Sequence, residues 1–192
     1  MGGDYLSNPL IFLVQTLFGL YTLVVMLRFL LQWARADFYN PISQFVVKAT
    51  NPPLRPLRRL IPGFRGIDIA SIVLMWALKT LELMLVVLLS TGGFALLRPL
   101  LWAVPELLSL LLNLFLVAIL IQVVLSWINP GAYNPASSLL YSLTEPVLRP
   151  IRRRLPAADG IDFSPMVAMI GLILLKMLLL PPLQMLAQSP LR

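Results

Sequence analysis

The sequence predicts an all-α integral membrane protein: four transmembrane helices forming two tandem parallel repeats, each with an interfacial amphipathic helix and an arginine-rich turn. Three observations carry this. The 192-residue chain is 59% hydrophobic and 12% charged, against ~45–50% and ~25% in a soluble domain. Its apolar residues gather into four runs, 10–33, 69–89, 104–127 and 163–186, each close to the ~20 residues a helix needs to cross the hydrocarbon core. One set of motifs also recurs after 94 positions without a gap.

The recurrence organises the chain. Trp33 returns as Trp127, Tyr39-Asn40-Pro41 as Tyr133-Asn134-Pro135, and Pro52 as Pro146. The run Leu54-Arg55-Pro56-Leu57-Arg58-Arg59 returns as Leu148-Arg149-Pro150-Ile151-Arg152-Arg153; Pro62 returns as Pro156 and Gly66-Ile67-Asp68 as Gly160-Ile161-Asp162. The units run 1–97 and 98–192, with basic segments 34–67 and 128–161 between their spans. Two spans per unit is an even number, so both units enter the membrane in the same direction. A pseudo-two-fold axis along the membrane normal is the expected packing.

The first run is longer than a signal-peptide core, and residues 1–9 carry no Lys or Arg; it reads as a retained span. Asn40 before Pro41 reads as a helix N-cap with proline at the first helical position. Ile42, Phe45, Val46 and Ala49 then recur on one face, as do Ala136, Leu139, Leu140 and Leu143 in the second unit. Both stretches are too short to span and are expected to lie in the interface, ending at Asn51-Pro52-Pro53 and Glu145-Pro146. Beyond them, Leu54, Leu57 and Ile61 take one side and Arg55, Arg58 and Arg59 the other; Leu148, Ile151 and Leu155 stand likewise against Arg149, Arg152 and Arg153. Gly92-Gly93, Pro99 and Pro105 punctuate the join between units.

Lysine and arginine set the orientation. The basic segments hold Arg35, Lys48, Arg55, Arg58, Arg59, Arg65, Arg149, Arg152, Arg153 and Arg154, whereas the opposite side has Arg98 and Arg192. Both segments are expected to face the cytoplasm, with both termini and the central loop outside. A guanidinium fork matches phosphate oxygens, so the six arginines of the paired runs are candidate contacts for anionic lipid or for a partner; the plainer reading is that they only set topology. Asp68 and Asp162 open the second span of each unit, as N-cap carboxylates, as partners of an arginine of the preceding segment, or as both, since the two roles are compatible.

Charges within the spans are costly and mark candidate functional positions. Arg28 lies close enough to the end of its span to snorkel. Lys79 and Glu82 are three apart on one helix face and can pair. Glu82 and Lys176 hold the same position in the two units, as do Arg28 and Gln122, so a pseudo-two-fold axis brings Glu82 and Lys176 together. A structural ion pair, a polar route for an ion or proton, and a contact with another membrane subunit all fit these residues.

The chain has no cysteine and no histidine. That excludes disulfides, thiolate nucleophiles and imidazole ligands or bases. With no catalytic set and no phosphate loop, an enzyme is not expected, nor a cofactor, nor direct nucleic-acid binding.

Trp33, Tyr39-Asn40-Pro41 and the paired Arg-rich and Gly-Ile-Asp motifs resemble the YggT family of bacterial membrane proteins over nearly the whole chain. The strings from Asp37 to Lys48 and from Gly160 to Pro165 look like its proteobacterial two-unit branch. The resemblance implies a role in tolerance of osmotic or ionic stress; one-unit relatives imply links to cell division, nucleoid organisation and, in plastids, haem attachment. Direct haem ligation is not expected without His or Cys. The expected function is a non-enzymatic inner-membrane protein that organises or assists membrane components through its basic face, with anionic lipid and either itself or another membrane protein as partners. A small ion channel or carrier, and an assembly factor for a membrane complex or cell division, are the alternatives.

Overall fold

The computed structural model describes residues 3–128, 134–155 and 162–188. The repeat positions Tyr133, Pro156, Gly160 and Ile161, and Arg192 at the C-terminus, lie outside the described residues. Among those described, six helices form: α1 (Gly3–Trp33), α2 (Pro41–Leu60), α3 (Ile69–Thr91), α4 (Leu97–Ile128), α5 (Pro135–Arg152) and α6 (Ser164–Gln188). Four are long and apolar enough to cross a membrane: Ser7–Trp33, Ile69–Thr91, Leu97–Ile128 and Ser164–Ala187. Many of their large apolar side chains are exposed, including Phe12, Leu17, Met177 and Leu178, as lipid-facing side chains must be.

Local chemistry sets the ends of the helices. At the end of α1, Arg35 takes a left-handed φ of 52° and the Ala36 N–H reaches back to the Leu31 carbonyl at 2.9 Å. This is a Schellman-type stop, and its apolar contact is present: Leu31, Ala36 and Leu139 form one buried cluster. Asn40 caps α2 by accepting from the Ile42 N–H. Asn134 and Ser137 form a reciprocal capping box at the start of α5. Gly92, at φ 67°, closes α3 by donating to the Leu88 carbonyl.

The two short helices do not stop at their prolines. Helix α2 continues through Pro52, Pro53 and Pro56, and α5 through Pro146 and Pro150. The expected stops are therefore wrong, and each amphipathic stretch and the arginine run after it form one helix. An interior proline removes a backbone donor and costs about 3 kcal/mol in an isolated helix. Here tertiary contacts offset it. The Tyr21 hydroxyl donates to the Ala49 carbonyl at 3.3 Å, which is the acceptor that Pro53, four residues on, has no N–H to reach. Leu54 and Leu148 anchor the two helices, both at 0% exposure.

Helix α1 packs along α3 and α4 along α6, while α3 joins α4; α2 lies across α1 and α3, and α5 across α4 and α6. Helices α2 and α5 touch each other at one end of the bundle, where Asn40 Nδ2 donates to the Pro135 carbonyl at 2.7 Å. The main core joins Val25, Met26 and Leu30 of α1 to Met75 of α3, Leu114, Phe115 and Ala118 of α4, and Leu143 of α5. The expected two-fold packing is not formed. It requires α6 to meet α1 as α3 meets α4, and α1 and α6 form no packed seam among the described residues. The short connection at 92–96 holds α3 beside α4, whereas no such link draws α6 to α1.

Candidate functional site

The site grows from the corner where each short helix meets its two spans. In the first unit the chain leaves α2 and turns back at Phe64 and Ile67, which exchange hydrogen bonds of 3.0 and 2.9 Å. Arg65 and Gly66 lie between them with φ of 51° and 83°, the two positive values of a type I′ turn, which glycine adopts freely. This turn carries Asp68 back to α2. Arg58 then grips it: Nη2 donates to Oδ2 and Nε to Oδ1 at 3.4 Å, and Ser71 Oγ adds a bond of 2.5 Å. Arg58 Nη2 also reaches Gln32 Oε1 on α1 at 3.4 Å.

Asp68 occupies the N-cap position of α3 but its carboxylate makes no capping hydrogen bond. The N-cap reading is corrected there: the arginine and a serine side chain have captured the carboxylate. Burial pushes the Asp68 carboxyl up, but the bonds from Arg58 and Ser71 and the Arg58 charge outweigh it and hold the group below the usual carboxylate range. In the second unit Asp162 lies just before α6 and meets both a backbone N–H and an arginine. It accepts from the Ser164 N–H at 2.9 Å and from Arg152 Nε at 2.9 Å. Burial again pushes its carboxyl up, and Ser164 and Arg152 together bring it below the usual value. Arg152 also pairs with Glu145 at 3.2 Å.

The six arginines of the paired runs thus divide. Arg58 and Arg152 are tied to carboxylates, while Arg55, Arg59, Arg149 and Arg153 are exposed and form no ion pair among the described residues. Two of these four stand in the C-terminal part of α2 and two at the C-terminal end of α5.

Within the spans, Arg28 departs from expectation. It does not reach out to the interface; it is 5% exposed, and its Nη1 donates to the Val47 carbonyl at 3.1 Å, Thr50 Oγ1 at 2.7 Å and Asn51 Oδ1 at 2.8 Å. The acceptors of α2 lie close enough to outcompete water. Gln122, its counterpart, pairs with Thr144, the counterpart of Thr50. Both threonines are fully buried and donate back to carbonyls in their own helices, Val46 and Leu140, at 2.7 Å. The sequence reading missed them, although a hydroxyl recurring after 94 residues on the face expected to be apolar was a usable signal.

Lys79 holds both oxygens of Glu82, at 2.9 and 3.0 Å. Lys176 instead donates to Asn113 Oδ1 on α4 at 2.7 Å. The expected meeting of Glu82 and Lys176 does not occur, because α3 and α6 share no packed seam among the described residues.

Comparison with known proteins agrees with the doubling. The profile of the family described as CCB3/YggT matches the chain twice, at residues 7–89 and 101–183. The chain is 45% identical to an uncharacterised protein of Pseudomonas aeruginosa over 96% of this chain and 95% of that one. It is 43% identical to the uncharacterised protein YggT of Escherichia coli K12, over 88% of each. It is 41% identical to an uncharacterised protein of Haemophilus influenzae, over 89% of this chain and 91% of the relative. No solved structure matches the chain.

Proposed function

Since the chain belongs to the CCB3/YggT family and has four helices able to cross a membrane, we propose that it is a non-enzymatic protein of the bacterial inner membrane that gathers anionic lipid with its arginine helices. In this reading the units are 1–97 and 98–192, α2 and α5 lie amphipathically in the cytoplasmic interface, and the termini are periplasmic. By holding anionic lipid, and a second copy or another membrane protein, the basic face organises membrane components. The role in osmotic or ionic stress follows from the family resemblance.

One observation carries the reading: each unit ties down one arginine of its run and leaves two exposed, with no ion pair among the described residues. A free cation at an anionic surface contributes about 1 kcal/mol, so four on one face act together. Changing Arg55, Arg59, Arg149 and Arg153 to Gln is expected to lower retention of phosphatidylglycerol and cardiolipin by the purified protein at least about tenfold. Native mass spectrometry reads this directly. Unchanged retention would reduce the arginines to topology signals and overturn the proposal.

An ion carrier is the second reading. It is favoured by the buried hydroxyls of Thr22 and Thr80, which have no partner among the described residues. They belong to α1 and α3, the second of which bears the Lys79–Glu82 pair. Ion flux in proteoliposomes that disappears in Glu82→Gln would favour it; absence of flux would reject it.

A further inference from the structure

The two units differ most at one corner. In the first, Arg28 spans from α1 to α2 and Gln32 meets Arg58, so the angle between helices is filled by side chains. In the second, the shorter Gln122 and Ser126 stand at those positions, and a groove of about 590 Å³ lies between α4, α5 and α6. The carboxylates differ accordingly: the Asp68 side chain is 4% exposed and that of Asp162 39%.

The groove is amphiphilic. Val123, Met166 and Met169 supply apolar lining, and Arg152, Asp162 and Tyr141 supply polar lining. Its volume is in the range of small-molecule sites, ~300–1,000 Å³. The charges around Arg152 are mixed: it pairs with Asp162 of the groove wall at 2.9 Å and with Glu145, beside the groove, at 3.2 Å. A head group that is only anionic meets two carboxylates there. One carrying both a phosphate and a primary ammonium meets a complement for each charge.

We propose that this groove binds a single amine-bearing glycerophospholipid of the phosphatidylethanolamine type. An acyl chain lies along Val123, Met166 and Met169. Arg152 has five N–H donors, of which the bonds to Asp162 and Glu145 use two. The remaining donors take the phosphate. The ammonium donates to the free lone pairs of Asp162 and Glu145. This site is separate from the four exposed arginines and does not depend on the role given to them.

The test uses the full chain in detergent, stripped of lipid and offered phosphatidylethanolamine, phosphatidylcholine and phosphatidylglycerol of matched acyl chains, with bound lipid read by native mass spectrometry. One phosphatidylethanolamine is expected to be retained with about tenfold preference over phosphatidylcholine, whose quaternary ammonium has no N–H to donate. Asp162→Asn keeps an oxygen for the Ser164 N–H but loses the charge, and is expected to abolish that preference. Gln122→Arg with Ser126→Gln rebuilds the filled corner of the first unit and is expected to remove the bound lipid. Val123→Trp, a change to the wall alone, should do the same, and far-UV circular dichroism identifies any variant that fails to fold. Equal retention of the ethanolamine and choline lipids overturns the proposal, as does undiminished retention in both groove-filling variants when folded.

Discussion

Arg58–Asp68 and Arg152–Asp162 are the same bridge built twice, and they should differ sharply in what their loss does. Asp68 is 4% exposed at its side chain, receives both Nε and Nη2 of Arg58, and draws in Ser71. Changing Asp68 to Asn leaves the Arg58 charge without a counter-charge inside the corner. Breaking a buried pair costs about 3–5 kcal/mol. Arg58 is 35% exposed and regains some hydration, so the lower end, about 3 kcal/mol, is the expected loss. Asp162 and Arg152 are both more than a third exposed; water screens that bridge, and Asp162→Asn should cost at most about 1 kcal/mol. The assay is equilibrium unfolding of the detergent-solubilised protein by increasing mole fraction of dodecyl sulfate, followed by far-UV circular dichroism. A double-mutant cycle with Arg58→Gln should return a coupling energy of about 2–3 kcal/mol, and the matching cycle with Arg152→Gln a value near the noise. Equal losses for Asp68→Asn and Asp162→Asn would falsify the claim that burial separates the two corners.

Two further outcomes follow from the same geometry. Both aspartates are held below the usual carboxylate range, so their contribution is complete above the unfolded-state value of about 3.9 and is lost as pH falls through the lower folded values. Unfolding midpoints should therefore show no pH dependence from these groups between pH 5 and 8, where their contribution is constant, and decline only below about pH 4; an aspartate-dependent decline near pH 6 would contradict the pairing. Within the bundle, Glu82→Gln and Lys79→Met should be strongly coupled in stability, whereas Glu82→Gln and Lys176→Met should add within about 0.5 kcal/mol. Coupling in the second cycle would mean that α3 and α6 meet after all.

Much of the architecture was legible in the chain. Apolar runs of bilayer length marked the four long helices, because every backbone polar group in hydrocarbon needs an internal partner and a helix provides one within each run. The recurrence after 94 residues marked the duplicated motifs, the family and the doubled short helices, because it rests on residue identity rather than on packing. The N-caps at Asn40 and Asn134 were legible for the same local reason: a cap needs only its own next few residues. The pairing of each aspartate with an arginine was one of two compatible readings. In the first unit it required a turn at Arg65-Gly66 to bring residues ten apart face to face.

What the chain did not disclose were the outcomes of competition between segments distant in sequence. The prolines of α2 and α5 read locally as stops; Tyr21 and Arg28, reaching in from α1, supply contacts that hold α2 together, and the buried Leu148 anchors α5. Arg28 read as a residue that would seek water, but the acceptors around Thr50 were nearer. Repeat equivalence placed Glu82 and Lys176 at one position without placing them together. Identical local motifs do not oblige two units to pack about an axis, since the short link at 92–96 favours one of the two possible seams. The groove beside Asp162 comes from replacing Arg28 and Gln32 by Gln122 and Ser126. Those replacements were visible in the sequence, but the space they leave exists only once three helices have converged on it.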